Sequence, residues 1–303
     1  MPDPSSYSYK AFGLNILSQF EVPGFQPASF SNADVTIESG HVPETIDPVI
    51  NKGVLFQAND HEFILRIVGI ASYYIKYGTT IRIQPQPKAV SKDIAAFLTG
   101  TCFGALLHQR KLLPLHAGTV VFKNRCLVFM GLSGAGKSTL AAAFLKAGAT
   151  LVADDISVID FSGERPAVRP AFPAIKMWQD SLKHLDYATD GLVSVREELK
   201  KFYMPVLQFS EIPVPVDTLF ILNSYNKPDA LIKSIEGMDK FQAVIRHTYL
   251  FRGIPKTGLE QNHFILAGKL ITTIPLFMLS RPDSHFNTDN LLELIKEKAG
   301  ING

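Results

Sequence analysis

Short alternating runs of apolar and polar residues fill the first quarter of the chain, and each run breaks at turn chemistry. "NILSQFEVPGF" ends in Pro-Gly, and "ADVTIESGHVPE" alternates and then breaks at Gly40. "EFILRIV", "SYYIKYG" and "TTIRIQP" are rich in β-branched and aromatic residues with polar residues interleaved. Such runs suit pleated, half-buried strands. The two prolines of "PQPKAVS" remove ladder donors and mark a boundary. The pattern predicts an N-terminal β-rich accessory domain over residues 1–88 and a second domain over 89–303.

The period then changes. "SKDIAAFLTGTCFGALLHQRK" carries Ile94, Phe97, Leu98, Phe103, Leu106 and Leu107 at helical spacing, with Ser91 as the expected N-cap. From Leu113 on, strands and helices alternate. "LHAGTVVF" and "RCLVFMG" read as strands, Lys137 to Lys146 as a helix closed by Gly148, and "TLVADDISVID" begins as a strand. Strand–helix–strand in so short a span is the βαβ signature. "CLVFM" and "TLVA" are near-continuously apolar, as a parallel pair buried on both faces should be. Six prolines between Pro166 and Pro215 make the next stretch read as irregular. "VDTLFIL" and "IPLFMLS" are later core strands, and "NTDNLLELIKEKAG" is a helix capped by Asn287 or Thr288.

Composition narrows the class. Of 303 residues 46% are hydrophobic and 19% charged, which allows a large core and excludes wholesale disorder. The net charge of +2 offers no broad footprint for nucleic acid or a membrane surface. Cys102 and Cys126 lie in apolar surroundings at no metal spacing and read as free thiols in a reducing compartment. No apolar run approaches the ~18 residues of a membrane span, and the first residues lack a signal-peptide pattern. A cytoplasmic location is the expectation.

"GLSGAGKS", Gly131 to Ser138, places three glycines and a lysine where a strand becomes a helix. Gly131, Gly134 and Gly136 leave room for oxygens against the backbone. Amides of Ser133, Ala135 and their neighbours then converge on phosphates at the helix N-terminus. Lys137 reaches the outer phosphates, Ser138 offers a hydroxyl to Mg²⁺, and Thr139 holds the helix start. Seventeen positions after Lys137, "VADD" sets Asp154 and Asp155 at a strand's C-terminal end, where α/β sheets bind ligands. One carboxylate would hold the metal and the other would take a proton from an attacking hydroxyl. Ser138 and Asp155 are the expected metal ligands, and both acids are expected to be catalytic. His116, entering the strand before the loop strand, is expected to relay a proton or orient these groups.

At this point "LHAGTVVFKNRCLVFMGLSGAGKSTLAAAFLKAGATLVADD" resembles the catalytic domain of HPr kinase/phosphorylase. In that family a histidine-bearing strand precedes the phosphate loop and a "VADD"-like strand follows one helix later. The resemblance spans residues 115 to 160. It implies an α/β P-loop kinase domain of the HPr kinase type. It also implies ATP and Mg²⁺ as cofactors, a serine on a small protein as acceptor, and catalytic or nucleotide-binding roles for His116, Gly131 to Thr139, Asp154 and Asp155. That family's downstream "EIRGLGI"-like stretch is absent; the span here reads "AFPAIKMWQDSLKHLD". The first 85 residues also look unlike the family's usual N-terminal domain. "FPAIKMW" after "VADD", with "RHTYLFRG" and "LSRPD" later, resembles HPr-kinase-related proteins encoded beside ribosomally made peptides. Some of those phosphorylate the C-terminal serine of lasso peptide precursors.

Phosphoryl transfer needs cations beyond the loop lysine. Arg252 and Lys201 are preferred among Lys176, Lys200, Lys201, Arg246 and Arg252. Glu197 and Glu198 are candidates for a second metal ligand, Trp178 for stacking on adenine, packing a peptide or a place in the lid or core, and 161–205 for a substrate-facing lid. The expectation is a serine kinase acting on a peptide or small protein. Its first 85 residues would bind that peptide or mediate assembly of identical copies. The rival readings are a nucleotide-gated assembly module, which would need only one acid, and a small-molecule kinase.

Overall fold

A computed structural model describes residues 6–250, 253–283 and 287–301. Its first part is one sheet whose strands follow the alternation. These are β1 (Tyr7–Ala11), β2 (Leu14–Ser18), β3 (Gln26–Pro27), β4 (Val35–Ser39), β5 (Asn51–Lys52), β6 (Phe56–Ala58), β7 (Glu62–Ile67), β8 (Ala71–Lys76) and β9 (Thr80–Pro85). They lie in the order β3-β1-β2-β4-β9-β8-β7-β6-β5, with β4 parallel to both β2 and β9. Register aligns the buried positions across the sheet: Ile16 faces Val35, Ile37 faces Ile81, and Ile83 faces Tyr73. All of these are buried, so one face supplies core.

That core is continuous with the rest of the chain. Phe12 and Phe25 of the first part pack on Phe103 at centroid distances of 5.2 and 5.4 Å and on Phe172 at 5.9 and 5.3 Å. Phe103 opens α2 (Phe103–Gln109), the end of a helical stretch that starts as α1 (Ser91–Phe97) and passes through a π-helical turn, Leu98–Cys102. Ser91 is the first helical residue. The cap position falls on extended Val90, which has no side-chain cap bond among the described residues, so the Ser91 expectation is corrected. Gly100 and Gly104 admit Tyr249 against this helix. A Cβ at Gly100 would stand 2.9 Å from the Tyr249 hydroxyl, and one at Gly104 would stand 2.7 Å from its Cδ1.

The alternating region follows as β10 (Leu113–Leu115), β11 (Ala117–Phe122), β12 (Arg125–Gly131), α3 (Lys137–Lys146), β13 (Thr150–Ala153) and β14 (Ser157–Asp160). The expected β12–β13 pair is not adjacent, because β11 lies between them and is antiparallel to both. The reason is local. Lys123 and Asn124 form a two-residue turn, both at positive φ (46° and 61°), which folds β12 directly back on β11. The crossover through α3 places β13 on the other side of β11, and β20 takes the remaining side of β12.

The remaining elements are β15 (Ala167–Arg169), β16 (Ala174–Trp178), α4 (Gln179–His184), β17 (Val193–Ser194), β18 (Lys201–Pro205), β19 (Val214–Pro215), β20 (Thr218–Tyr225), β21 (Leu231–Ser234), α5 (Gly237–Arg246), α6 (Glu260–Thr273), β22 (Leu276–Pro282) and α7 (Thr288–Lys298). The central sheet reads β13-β11-β12-β20-β22-β21, with β12, β20 and β22 parallel. A four-stranded sheet, β10-β14-β15-β19, and a three-stranded sheet, β16-β18-β17, complete a mixed α/β architecture. The stretch expected to be irregular thus holds a small sheet and a helix. Its prolines sit at strand ends or outside strands, as with Pro205 and Pro215, where a missing donor is harmless. Asn287 caps α7, accepting from the Asn290 N–H as its sequence predicts. No described helix is long and apolar enough to cross a membrane.

Candidate active site

β12 delivers the chain to Gly131, where only glycine fits. A Cβ there would meet the Leu222 carbonyl oxygen of neighbouring β20 at 2.9 Å. Gly136, at φ 103°, is the N-cap of α3 and turns the chain into the helix. Between them Ala135 N–H donates to Leu132 O (3.1 Å), and Arg281 Nε donates to Ala135 O (3.2 Å). Arg281, from the "LSRPD" stretch, thus braces the loop from β22. Ser133, Gly134, Gly136, Lys137, Ser138 and Thr139 line a cleft at the loop.

Lys137 points back under its own loop. Its ammonium donates to Gly131 O (2.9 Å) and Leu132 O (3.0 Å) and lies 3.0 Å from His116 Nε2. The partners assign the imidazole tautomer. His116 Nδ1 lies 3.1 Å from the Asp155 carbonyl oxygen, which can only accept, so Nδ1 carries the hydrogen. Nε2 is then the acceptor for Lys137. Burial, followed by the Lys137 charge, lowers the His116 pKa and favours this neutral ring. Burial also lowers Lys137 to about 8, against the opposing pull of Asp155 and Asp154.

The two acids split at the end of β13. Asp154 is the first residue past the strand and is 3% exposed. Its Oδ1 accepts from the Ser138 hydroxyl (2.9 Å) and its Oδ2 from the Lys176 backbone N–H (2.8 Å). Burial, then the Asp155 charge, raises its pKa. Asp155 sits at φ 67°, so its side chain leaves in another direction and lines the cleft. Asp155 Oδ2 lies 3.2 Å from Lys176 Nζ and Oδ1 3.5 Å from His116 Nδ1. Burial alone would raise this carboxyl, but the Lys176 charge first, with Lys201 behind it and the His116 N–H alongside, holds it well below the usual carboxylate range. Ser138 and Asp155, expected to share a metal, both line the cleft without a hydrogen bond between them. The left-handed turn at Asp155 gives Ser138 to Asp154 instead.

The structure brings His116, Lys137, Ser138, Asp154 and Asp155 into one contact network and adds Lys176. Lys201 also lines the cleft, with its ammonium 5.6 Å from the centroid of half-exposed Trp178. Thr139 donates to Ser181 of α4 (3.1 Å). Glu197 pairs with Lys92, while Glu198, Lys200 and Arg246 are exposed; none of these four lines the cleft. Arg252 lies outside the described residues. Thr99 and Tyr249 escaped the sequence reading. Thr99 accepts from Lys176 Nζ (3.2 Å), and the Tyr249 ring packs on His116 at 5.6 Å. Both are ordinary residue types whose role appears only through long-range contact.

No family model matches the chain, and no curated protein is similar to it. Among solved structures it has a distant similarity to the Hpr(Ser) kinase/phosphatase from Coxiella burnetii. That similarity has a TM-score of 0.32 and 12% identity over 63% of this chain and 99% of that one.

Proposed function

We propose that this chain is an ATP- and Mg²⁺-dependent kinase that phosphorylates a serine hydroxyl of a peptide or small protein. One observation carries the reading: the loop lysine, a neutral histidine and an ionised carboxylate stand in contact at the cleft, with a hydroxyl–carboxylate pair beside them. The residues fit the cofactor. Gly134 has open space around it, and the loop opens α3 with amides free of helical partners. Ser138 and Asp154 present hard oxygens suited to Mg²⁺.

Gly131 to Thr139 would hold the phosphates, and Ser138 with Asp154 the metal. Bound Mg·ATP supplies the phosphoryl group and neutralises part of the charge on its oxygens. Lys137 exchanges its loop carbonyls for phosphate oxygens and stabilises charge there. Asp155, the acid that lines the cleft, orients the acceptor hydroxyl and takes its proton. A weakly basic carboxylate suffices, because phosphoryl transfer through a loose transition state requires little early deprotonation. Trp178 forms part of the wall against which the nucleotide or peptide packs.

The finer reading is a ribosomally made precursor peptide with a terminal serine, phosphorylated in the cytoplasm. It rests on the sequence resemblance of "FPAIKMW", "RHTYLFRG" and "LSRPD". Incubation with ATP, Mg²⁺ and a pool of serine-terminated peptides should add one phosphoryl group to a pool member. Lys137→Ala protein should add it at least about 100-fold more slowly. Equal labelling by the two proteins, or turnover of metabolites with all peptides ignored, sinks the reading.

A further inference from the structure

A lysine ammonium buried at the wall of this cleft does not face it as a free charge. Lys176 is 5% exposed, and its Nζ is held on three sides. It lies 3.2 Å from Asp155 Oδ2, 3.2 Å from Thr99 Oγ1 and 5.8 Å from the centroid of the Tyr203 ring. Its backbone N–H meanwhile donates to Asp154 Oδ2. One residue of β16 therefore grips both acids, one through the main chain and one through the side chain.

Thr99 reaches Lys176 from the π-helical turn, Leu98–Cys102. A π turn widens a helix and costs hydrogen-bond quality, and such turns collect at functional sites. Here the turn lies on the helical stretch that follows the N-terminal sheet. The result is a continuous line of polar contacts: Thr99, Lys176, Asp155, His116, Lys137 and the loop carbonyls. Without Lys176, Asp155 would keep His116 as a partner but lose its ion pair, and the direction of its carboxylate would no longer be fixed from that side.

We propose that Lys176, braced by Thr99, is a positioning residue that sets the direction of the Asp155 carboxylate for the acceptor hydroxyl. This rests on the kinase reading above. Lys176 acts through Asp155, whereas Lys137 and Lys201 remain available to the phosphates. Mispositioning an attacking group by even ~1 Å can cost on the order of 100-fold in rate, so the effect belongs in kcat.

The test uses the full chain and the first peptide of a serine-terminated pool that wild-type protein phosphorylates. Lys176→Gln should lower kcat by about 10- to 100-fold, the range for residues that orient a site's ligands, while Mg·ADP affinity by calorimetry stays within about twofold. Thr99→Val, which keeps the ion pair, should lower kcat by a smaller factor. The double variant should fall short of the product of the two, because both act on one group. Retained Mg·ADP binding separates this outcome from misfolding. If Lys176→Gln does not fold, Thr99→Val carries the test alone. Unchanged kcat in the folded variants, or matched losses of kcat and Mg·ADP affinity, overturns the assignment and leaves the kinase reading standing. Wild-type protein that phosphorylates nothing overturns both.

Discussion

Lys137 Nζ and His116 Nε2 are 3.0 Å apart, with the imidazole acting as acceptor. The ring thus joins two charged groups without being charged itself. It holds the ammonium at one nitrogen and reaches Asp155 with the other. In this arrangement Lys137 has three protein partners, which keep a buried cation satisfied.

Lys137→Ala should therefore lower phosphotransfer by about 100- to 1000-fold, the usual range for removing one electrostatic donor. The far-ultraviolet circular dichroism should be preserved. Turnover within a few-fold of wild type would remove the loop from the mechanism.

Asp154→Asn and Asp155→Asn should act on different parameters. Because Asp154 accepts from Ser138, its variant should raise the Mg²⁺ concentration needed for half-maximal rate. Because Asp155 lines the cleft, its variant should depress kcat with little change in that concentration. A magnesium titration of each variant decides. Identical titration curves would defeat the division of labour.

The free protein's kcat/KM for ATP should fall as pH rises through about 8. Burial brings Lys137 down to about that value, and the ammonium is the phosphate-binding form below it. A profile flat to about pH 10, near the ordinary lysine value, would show that Lys137 is not the titrating group.

Folding stability should also depend on pH, through a histidine away from the cleft. His108 Nε2 donates to Tyr249 O (2.7 Å), and burial holds the ring's pKa at about 4. The unfolded chain titrates near 6.5, so between those values it binds more protons than the native state. Stability is then full above about pH 6.5 and lost as pH falls toward 4. The loss is on the order of 3 kcal/mol at about 1.4 kcal/mol per pH unit. Urea melts across that range should show the slope, and His108→Gln should reduce it, leaving the part that comes from His263, whose ring burial also holds at about 4.

Gly104→Ala should destabilise the protein even though alanine favours helix by up to ~1 kcal/mol. The new methyl would stand 2.7 Å from Tyr249 Cδ1, and overpacking of that kind costs about 1–3 kcal/mol. The sign of the shift in the denaturation midpoint settles which effect wins. A more stable variant would mean that Tyr249 can yield.

What was legible in the sequence was what local chemistry decides. The N-terminal strands announced themselves by alternation, and α3 by its loop and apolar spacing. The loop itself was marked by glycines needed at specific positions. β11's place between β12 and β13 was missed, because a two-residue turn pairs β12 with β11 and local patterning does not say which edge β13 joins. The separate fates of Asp154 and Asp155 hang on one left-handed residue in "VADD". Lys176 was visible as a candidate cation, but its partners lie 21 and 77 positions away in Asp155 and Thr99. No spacing rule connects these three.

The ring cluster of Phe12, Phe25, Phe103 and Phe172 has a practical meaning for anyone dissecting this protein. A fragment begun at residue 89 would carry two bare aromatic sockets, each ring burying about 150–250 Å² in an intact core. Such a fragment should stick to its own copies before it ever met a substrate. The N-terminal sheet and the remainder should therefore be cloned, purified and engineered as one piece.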